Sequence, residues 1–444
     1  MGQILKKSFC LVLAVLMLLP LVSCGSSTAE EEVTKIRDDE LFTPDYTDTV
    51  ESGIIEVTAS TEYQTIIGFG GTNFPAWVGD LTEEERQTAF GNGDDELGFT
   101  ILRLHIDPDS EKWADDLDTA KAAQDAGAII MASPWTAPDD MMESYEKAGE
   151  DNPIRIKHDK YAEYAEHLND YVTFMKENGI EIYAISFQNE PDLSNSGWVS
   201  WTTEEIMDFI LNYSDVIDCK LMTPESFNYD KEYYGEILNN EEALEKIDIF
   251  ATHLYGTKVS DFSYSLFEEL GEGKELWVTE MIYPNSTSVA DKWPEALETA
   301  EHISDALTEG NFQAYVWWYI RRFYGPIDEE GDITKRGYCI AQFSKYVRPG
   351  YVRIDATKEP ADGVSVSAFK TDDQIVIVVI NNSENDYEQQ FSLSDLDFDI
   401  GYVEAYTTSK TQSLARTGNI SYSENTFGYV LDSYSITTFV ISES

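Results

Sequence analysis

Between residues 66 and 320 the chain passes eight times from a short β-rich run to a longer amphipathic stretch, and this alternation restricts the fold more than any other feature. The runs are 66–73, 99–106, 128–135, 182–190, 220–226, 248–256, 275–281 and 314–320. Between them, LTEEERQTAF, KYAEYAEHLNDYVTFMKENG and WPEALETAEHISDALTEG carry apolar residues at three- and four-residue spacing, the pattern of a helix with one buried face. Strands separated by helices pair in parallel, because each crossover returns the chain to the same edge. Eight such units in roughly 280 residues have the size of a (β/α)8 barrel. A doubly wound sheet has the same alternation, but the one glycine cluster, GFGGTN, lacks the GxGxxG spacing of a dinucleotide loop.

Outside this region the pattern changes. From residue 349 to 444 only strands are expected, in VSVSAFK, QIVIVVINNS, QQFSLSDLDF, YVEAYTTS and SITTFVIS. A further strand at 53–65, beginning in SGIIEVTAS, is expected to join them, so that both chain ends build a β-sandwich beside the barrel at 66–348. Residues 1–23, with Lys6 and Lys7 before a short apolar stretch, have the form of a secretory leader. The leader ends in Leu21-Val22-Ser23-Cys24, similar to a bacterial lipobox, which makes Cys24 the expected lipidated N-terminus of an extracellular, membrane-anchored lipoprotein. Residues 24–52 are rich in Ser, Thr, Glu and Asp, as expected of a solvated tether.

Charge narrows the partners. With 83 acidic against 30 basic residues and a formal net charge of −53, the surface repels polyanions, and nucleic acid is not an expected partner. Cys219 and Cys339 are expected as separate core thiols, since a domain of this size needs no staple. The five histidines lack ligand spacing and there is no HExxH or CxxC, so neither a metal nor a cofactor is expected.

Barrel active sites lie at the carboxyl ends of the strands. Two glutamates close two of the runs there: Glu190 ends IYAISFQNE and Glu280 ends ELWVTE, on the fourth and seventh strands. A carboxylate after an apolar strand costs several kcal/mol to bury unless the charge is used. Two across a cleft are the equipment of glycoside hydrolysis. Trp135, Trp198, Trp201, Trp317 and Trp318 fall at or just beyond strand ends, where indoles can stack on sugar rings. Asn189 is placed to bind a sugar hydroxyl, and Arg103, His253 and Tyr255 to orient a carboxylate. The adjacent Arg321 and Arg322 of WWYIRRFYGP are conspicuous in so acidic a chain. Neighbouring residues leaving a strand point oppositely, so one of the two should face the cleft.

The segments GFGGTNFPAWVGDLT, ILRLH, SPWTAPDDMMES, SFQNEPD, THLYG, WVTEMIYPNS, WWYIRRFYGP, KRGY and FSKYVRPGYVRID resemble the bacterial glucuronoxylanases of glycoside hydrolase family 30, subfamily 8. The resemblance runs from about residue 53 to the C-terminus. It implies a barrel with a fused β-sandwich and a retaining mechanism, with Glu190 as acid/base and Glu280 as nucleophile. It implies internal cleavage of β-1,4-xylan at sites chosen by a methylglucuronate branch; the chain is expected to be a monomer. The branch carboxylate would meet Arg322, with Tyr324 and Ser286 as hydrogen-bond donors. The chain departs from the family at Ile282, where a tyrosine that touches the glucuronate is common; Tyr283 is the alternative donor. Two other functions fit the residues: a related β-glycanase indifferent to the branch, and a surface glycan-binding lipoprotein without turnover.

Overall fold

The structure, a computed structural model, describes residues 41–146, 153–193 and 197–443. Its centre is a closed barrel of parallel strands, β1 Gly68–Thr72, β2 Ile101–His105, β3 Ile129–Ser133, β4 Ile182–Ile185, β5 Lys220–Ser226, β6 Ile249–His253, β7 Glu275–Met281 and β8 Ala314–Tyr319, paired in chain order with β8 closing on β1. Each lies within one of the eight expected runs. Alternation sorts their side chains. Ile101, Met131, Ala184, Met222, Ile249, Ala251, Trp277, Ala314 and Val316 form one core cluster inside the barrel. Their neighbours Leu102, Leu104, Ile130, Ala132, Ile185, Phe250, Val278 and Tyr315 belong to a second, beneath the surrounding helices. The glycines of GFGGTN serve packing: a Cβ on Gly70 would come within 1.8 Å of the Ile101 carbonyl oxygen, so β1 can lie against β2 only without a side chain there.

Eleven further strands form one curled sheet. The long strand Ile55–Thr65 sits at its middle, antiparallel to Val352–Ala356 and parallel to Tyr387–Ser394, which joins the two chain ends as expected. Strand Gln374–Asn381 shows how the sheet binds the barrel. Ile375, Ile377 and Val379 enter the sheet's own core, while Val376, Val378 and Ile380 enter the core around the barrel helices. Burial on both faces explains why IVIVVI contains no polar residue.

Three expectations change. The stretch expected as a tether to residue 52 is bound to the side sheet from Phe42 on: the Phe42 amide donates to the Asn419 carbonyl at 2.8 Å, its ring packs on Tyr429, and Val50–Glu51 pairs with Tyr387 and Glu388. Strands Val352–Ala356 and Thr426–Leu431 were not expected. Gly428 gives Thr426–Leu431 the composition of a turn, but the glycine is there because a Cβ would lie 2.1 Å from the Tyr46 hydroxyl. A hairpin of Met142–Ser144 and Ile154–Ile156 also escapes the alternation pattern. Cys219 and Cys339 are both free. Among the described residues no helix is long and apolar enough to cross a membrane. The leader and Cys24 lie outside the described residues.

Candidate active site

Two steps in strand register set the site. Between Thr252 and His253 the pairing of β6 with β7 slips by one residue, so that His253 lies opposite Glu280. Without that slip, alternation from the inward Trp277 would turn Glu280 out of the barrel. The pairing of β6 with β5 slips similarly past Glu225. Glu225 and Glu190 both have left-handed backbones, with φ of 55° and 48°. That conformation costs a non-glycine residue of order 1–3 kcal/mol and persists where the surroundings enforce it. Here the Glu190 amide donates to the Glu225 carbonyl at 3.1 Å.

These strand ends gather a buried charge cluster. The Arg103 guanidinium, wholly buried, donates from Nη1 to Glu280 Oε2 at 2.5 Å and from Nη2 to Asn189 Oδ1 at 2.6 Å and Glu225 Oε1 at 3.0 Å. The Tyr255 hydroxyl donates to Glu280 Oε1 at 2.9 Å. Glu190 Oε1 lies 3.0 Å from His253 Nδ1, and Glu225 also accepts from the Ser186 hydroxyl. Burial opposes ionisation of Glu225, but Arg103, His253 and Ser186 outweigh it and hold that carboxyl down to about 2. Burial also opposes a charged His253, yet Glu280, Glu190 and Glu225 raise it to about 9. Burial pushes the Glu280 carboxyl above its ordinary value; His253 and Arg103 oppose that push and Glu190 adds to it. Glu190, His253 and Glu280 each present an atom within 4.8 Å of the others. A metal there would have to displace the His253 proton and compete with the Arg103 and Tyr255 bonds to Glu280.

Around the charges stands an aromatic wall. Trp135 lies 4.8 Å from the Arg103 guanidinium carbon and packs with Phe74, His105 and Trp318. Trp77, 51% exposed, stacks on Phe74 at 4.0 Å and faces Trp198 at 6.5 Å. Burial keeps His105 neutral, at about 3. Two of the expected rim tryptophans are elsewhere. Trp201 packs among Tyr161, Tyr164, Phe187 and Phe209 behind the wall, because the chain turns into helix Thr203–Asn212 just after it. Trp317 is fully buried with the core under the helices, since alternation along β8 points it away from the barrel interior.

The two arginines, both beyond the end of β8, have different partners. Arg321 is occupied: its Nη1 donates to Glu85 at 2.8 Å and its Nη2 to the Val78 carbonyl at 2.7 Å. Arg322 is 3.9 Å from Glu329, and its buried Nε has no hydrogen-bond partner. It lies against Tyr324, whose hydroxyl is raised by burial and lowered by Arg322, and within electrostatic reach of Tyr319. Ser286 is exposed on the loop that follows β7. Tyr283 does not fill the place left by Ile282. Its ring stacks on His302 at 4.3 Å, on the side of helix Glu295–Glu309.

Sequence reasoning missed Glu225, Tyr319, His105, Phe74 and Trp77. Glu225 was findable, because it stands near the end of a barrel strand, as Glu280 does. Tyr319 and His105 are the last residues of β8 and β2. Phe74 and Trp77 lie in a loop and a single helical turn after β1, where no periodicity marks them.

Comparison with known proteins agrees in sequence and in shape. Residues 350–439 match the glycosyl hydrolase family 30 beta sandwich domain. The chain is 50% identical over 400 residues to Bacillus subtilis glucuronoxylanase XynC, an alignment that covers 90% of this chain and 94% of the relative. A GH30 endoxylanase from Clostridium papyrosolvens C71 superposes with a TM-score of 0.82 at 36% identity, over 88% of this chain and 100% of that one. The subfamily 8 xylanase Xyn30A from Clostridium acetobutylicum gives 0.79 at 30% identity, over 88% and 99%.

A protonated His253 makes a pH prediction. Its folded value of about 9 exceeds the ordinary 6.5, so the stability it contributes is full below the unfolded value and is lost as pH rises through the folded one. NMR titration of the His253 ring should find it still charged at pH 7.5, with its contribution to stability falling as pH rises from about 6.5 to about 9. A ring already neutral at pH 7 would contradict the cluster's charge assignment.

Proposed function

The chain belongs to glycoside hydrolase family 30, and from that premise we propose that it is a retaining endo-β-1,4-xylanase that cleaves glucuronoxylan at sites chosen by a glucuronate branch. The observation that carries the retaining assignment is the separation of Glu190 and Glu280. One carboxylate oxygen of each lies within 4.8 Å of one of the other's, a proximity that supports the close pairing of retaining enzymes, whose carboxyl groups stand roughly 5–5.5 Å apart. The roles follow from the partners. Arg103 and Tyr255 both donate to Glu280, which favours holding the charge there and makes Glu280 the nucleophile. The Glu190 carboxyl has one hydrogen-bond partner among the described residues, His253, and takes the acid/base role.

In the first step a Glu280 oxygen forms a bond to the anomeric carbon while the glycosidic C–O bond breaks, and the Glu190 proton goes to the departing oxygen. In the second, water attacks the same carbon, Glu190 takes its proton, and Glu280 leaves as carboxylate. Asn189 supports both steps. Its Oδ1 is held by Arg103 while its buried Nδ2 has no partner, which leaves a donor for a sugar hydroxyl. Selection of the branch rests on Arg322. Its Nε is unpaired, Tyr324 lies beside it, and a guanidinium fork matches a carboxylate in two parallel hydrogen bonds. The lipobox supports a further part of the proposal, that Cys24 is lipidated and holds the enzyme on the outer surface of the cell.

Replacing Glu190 by Ala should lower kcat about 10²–10⁴-fold, and replacing Glu280 should cost at least as much. Azide should rescue the Glu280→Ala variant to an inverted glycosyl azide, whereas an inverted azide from Glu190→Ala would exchange the two roles. Arg322→Ala should lower kcat/KM on glucuronoxylan about tenfold to a hundredfold, the worth of a charge-assisted pair, with little effect on arabinoxylan lacking the acid. Equal wild-type rates on the two polymers would sink the branch reading. For the anchor, Cys24→Ala should move the protein from the membrane fraction to the medium; a wild-type protein found free in the medium without lipid would refute it.

A further inference from the structure

The KRGY segment, Lys335 to Tyr338, opens helix Lys335–Ser344 and contains a buried guanidinium that the mechanism above does not use. Arg336 is 1% exposed. Its Nη1 donates to the Asn285 carbonyl at 3.0 Å and to the Tyr324 carbonyl at 3.2 Å, and its Nη2 to Glu295 at 3.3 Å. One nitrogen therefore ties the residue before Ser286, on the loop after β7, to Tyr324, on the loop after β8.

The surrounding backbone reinforces that tie. The Ala290 amide donates to the Phe323 carbonyl at 2.9 Å, and the Arg336 amide donates to the Ala290 carbonyl at 3.2 Å. The Lys335 amide donates to Asp291 at 2.8 Å, and the Thr334 hydroxyl to the Gly325 carbonyl at 2.7 Å. Gly337 packs so closely that a Cβ would lie 2.2 Å from the Pro326 carbonyl oxygen. The helix start thus touches both loops, and nothing in it reaches the carboxylates of Glu190 and Glu280.

We infer that Arg336 is the positioning residue of the acid-branch pocket, fixing Ser286 and Tyr324 in register beside Arg322 without touching substrate itself. This rests on the branch reading given above. A guanidinium is required because two carbonyls and a carboxylate must be spanned at once; an ammonium is a point donor and cannot span them all. Loss of the clamp lets the loops part, so affinity for an acid-bearing chain falls more than the rate of bond cleavage.

The experiment compares wild type, Arg336→Lys and Arg336→Gln on glucuronoxylan and on unsubstituted xylohexaose, with thermal unfolding recorded for each. Arg336→Gln should raise KM on glucuronoxylan roughly tenfold with kcat changed by less than about threefold. KM on xylohexaose should move less, and Arg336→Lys should recover part of the loss. If the glutamine variant does not fold, the lysine variant decides by the same ratio. A wild-type preference for the acid substrate that survives undiminished in the folded variants overturns this inference alone, even if they melt earlier. A wild type without any preference overturns the branch reading, and this inference with it.

Discussion

The arginine at position 103 is the point on which the barrel mouth depends. A guanidinium without solvent has to be matched by buried acceptors, and this one takes them from Glu280, Glu225 and Asn189. Those residues stand at the ends of β7, β5 and β4, so one side chain on β2 fixes the relative heights of three other strand ends. The same contacts set the chemistry. Glu225 stays ionised and, with Glu190 and Glu280, keeps His253 charged. Removing one member of such a buried set leaves the rest unmatched, at a cost of about 3–5 kcal/mol. Stability and function are therefore joined at this site.

A second constraint is electrostatic and works at longer range. A chain with a formal net charge of −53 is a poor general attractor for an anionic polysaccharide, though salt screens most of that field beyond about 8–10 Å. A local cation can still dominate at contact. Arg321 is spent on Glu85 and the Val78 carbonyl, whereas Arg322 lies beside Tyr324 and its nearest carboxylate among the described residues is Glu329, at 3.9 Å. On the proposed reading the branch carboxylate takes the place that Glu329 fills weakly. On the same reading, with Ile282 apolar and Tyr283 turned to His302, Arg322 and Tyr324 carry more of the recognition than they would with a tyrosine at 282.

The barrel was legible because both its periods are strong: strands buried on all sides read as short apolar runs, and the crossover helices carry a three-to-four spacing. The side sheet was legible where strands alternate or are wholly apolar, as in Gln374–Asn381, and obscure where a glycine made room for Tyr46. The site was legible where a charged residue closed an apolar run, as Glu190 and Glu280 do, or interrupted one, as Arg103 does. Trp201 and Trp317 misled because proximity to a strand end does not give the side on which a ring lies. The register slips that turn Glu280 inward and pass Glu225 cannot be read from composition or spacing, since they depend on how two strands meet. Nor can the bonds from Arg336 to two loops, which arise only once β7 and β8 are neighbours.

The central claim is that Glu280 attacks the sugar directly and Glu190 serves first as acid and then as base. The stereochemistry of the first product tests it without altering the protein. Proton NMR of the newly formed reducing end, recorded from the start of glucuronoxylan cleavage by the wild-type enzyme, should show the β-anomer appearing first and the α-anomer growing only as mutarotation proceeds. The α-anomer appearing first would mean that water attacks in a single displacement, and would contradict the account.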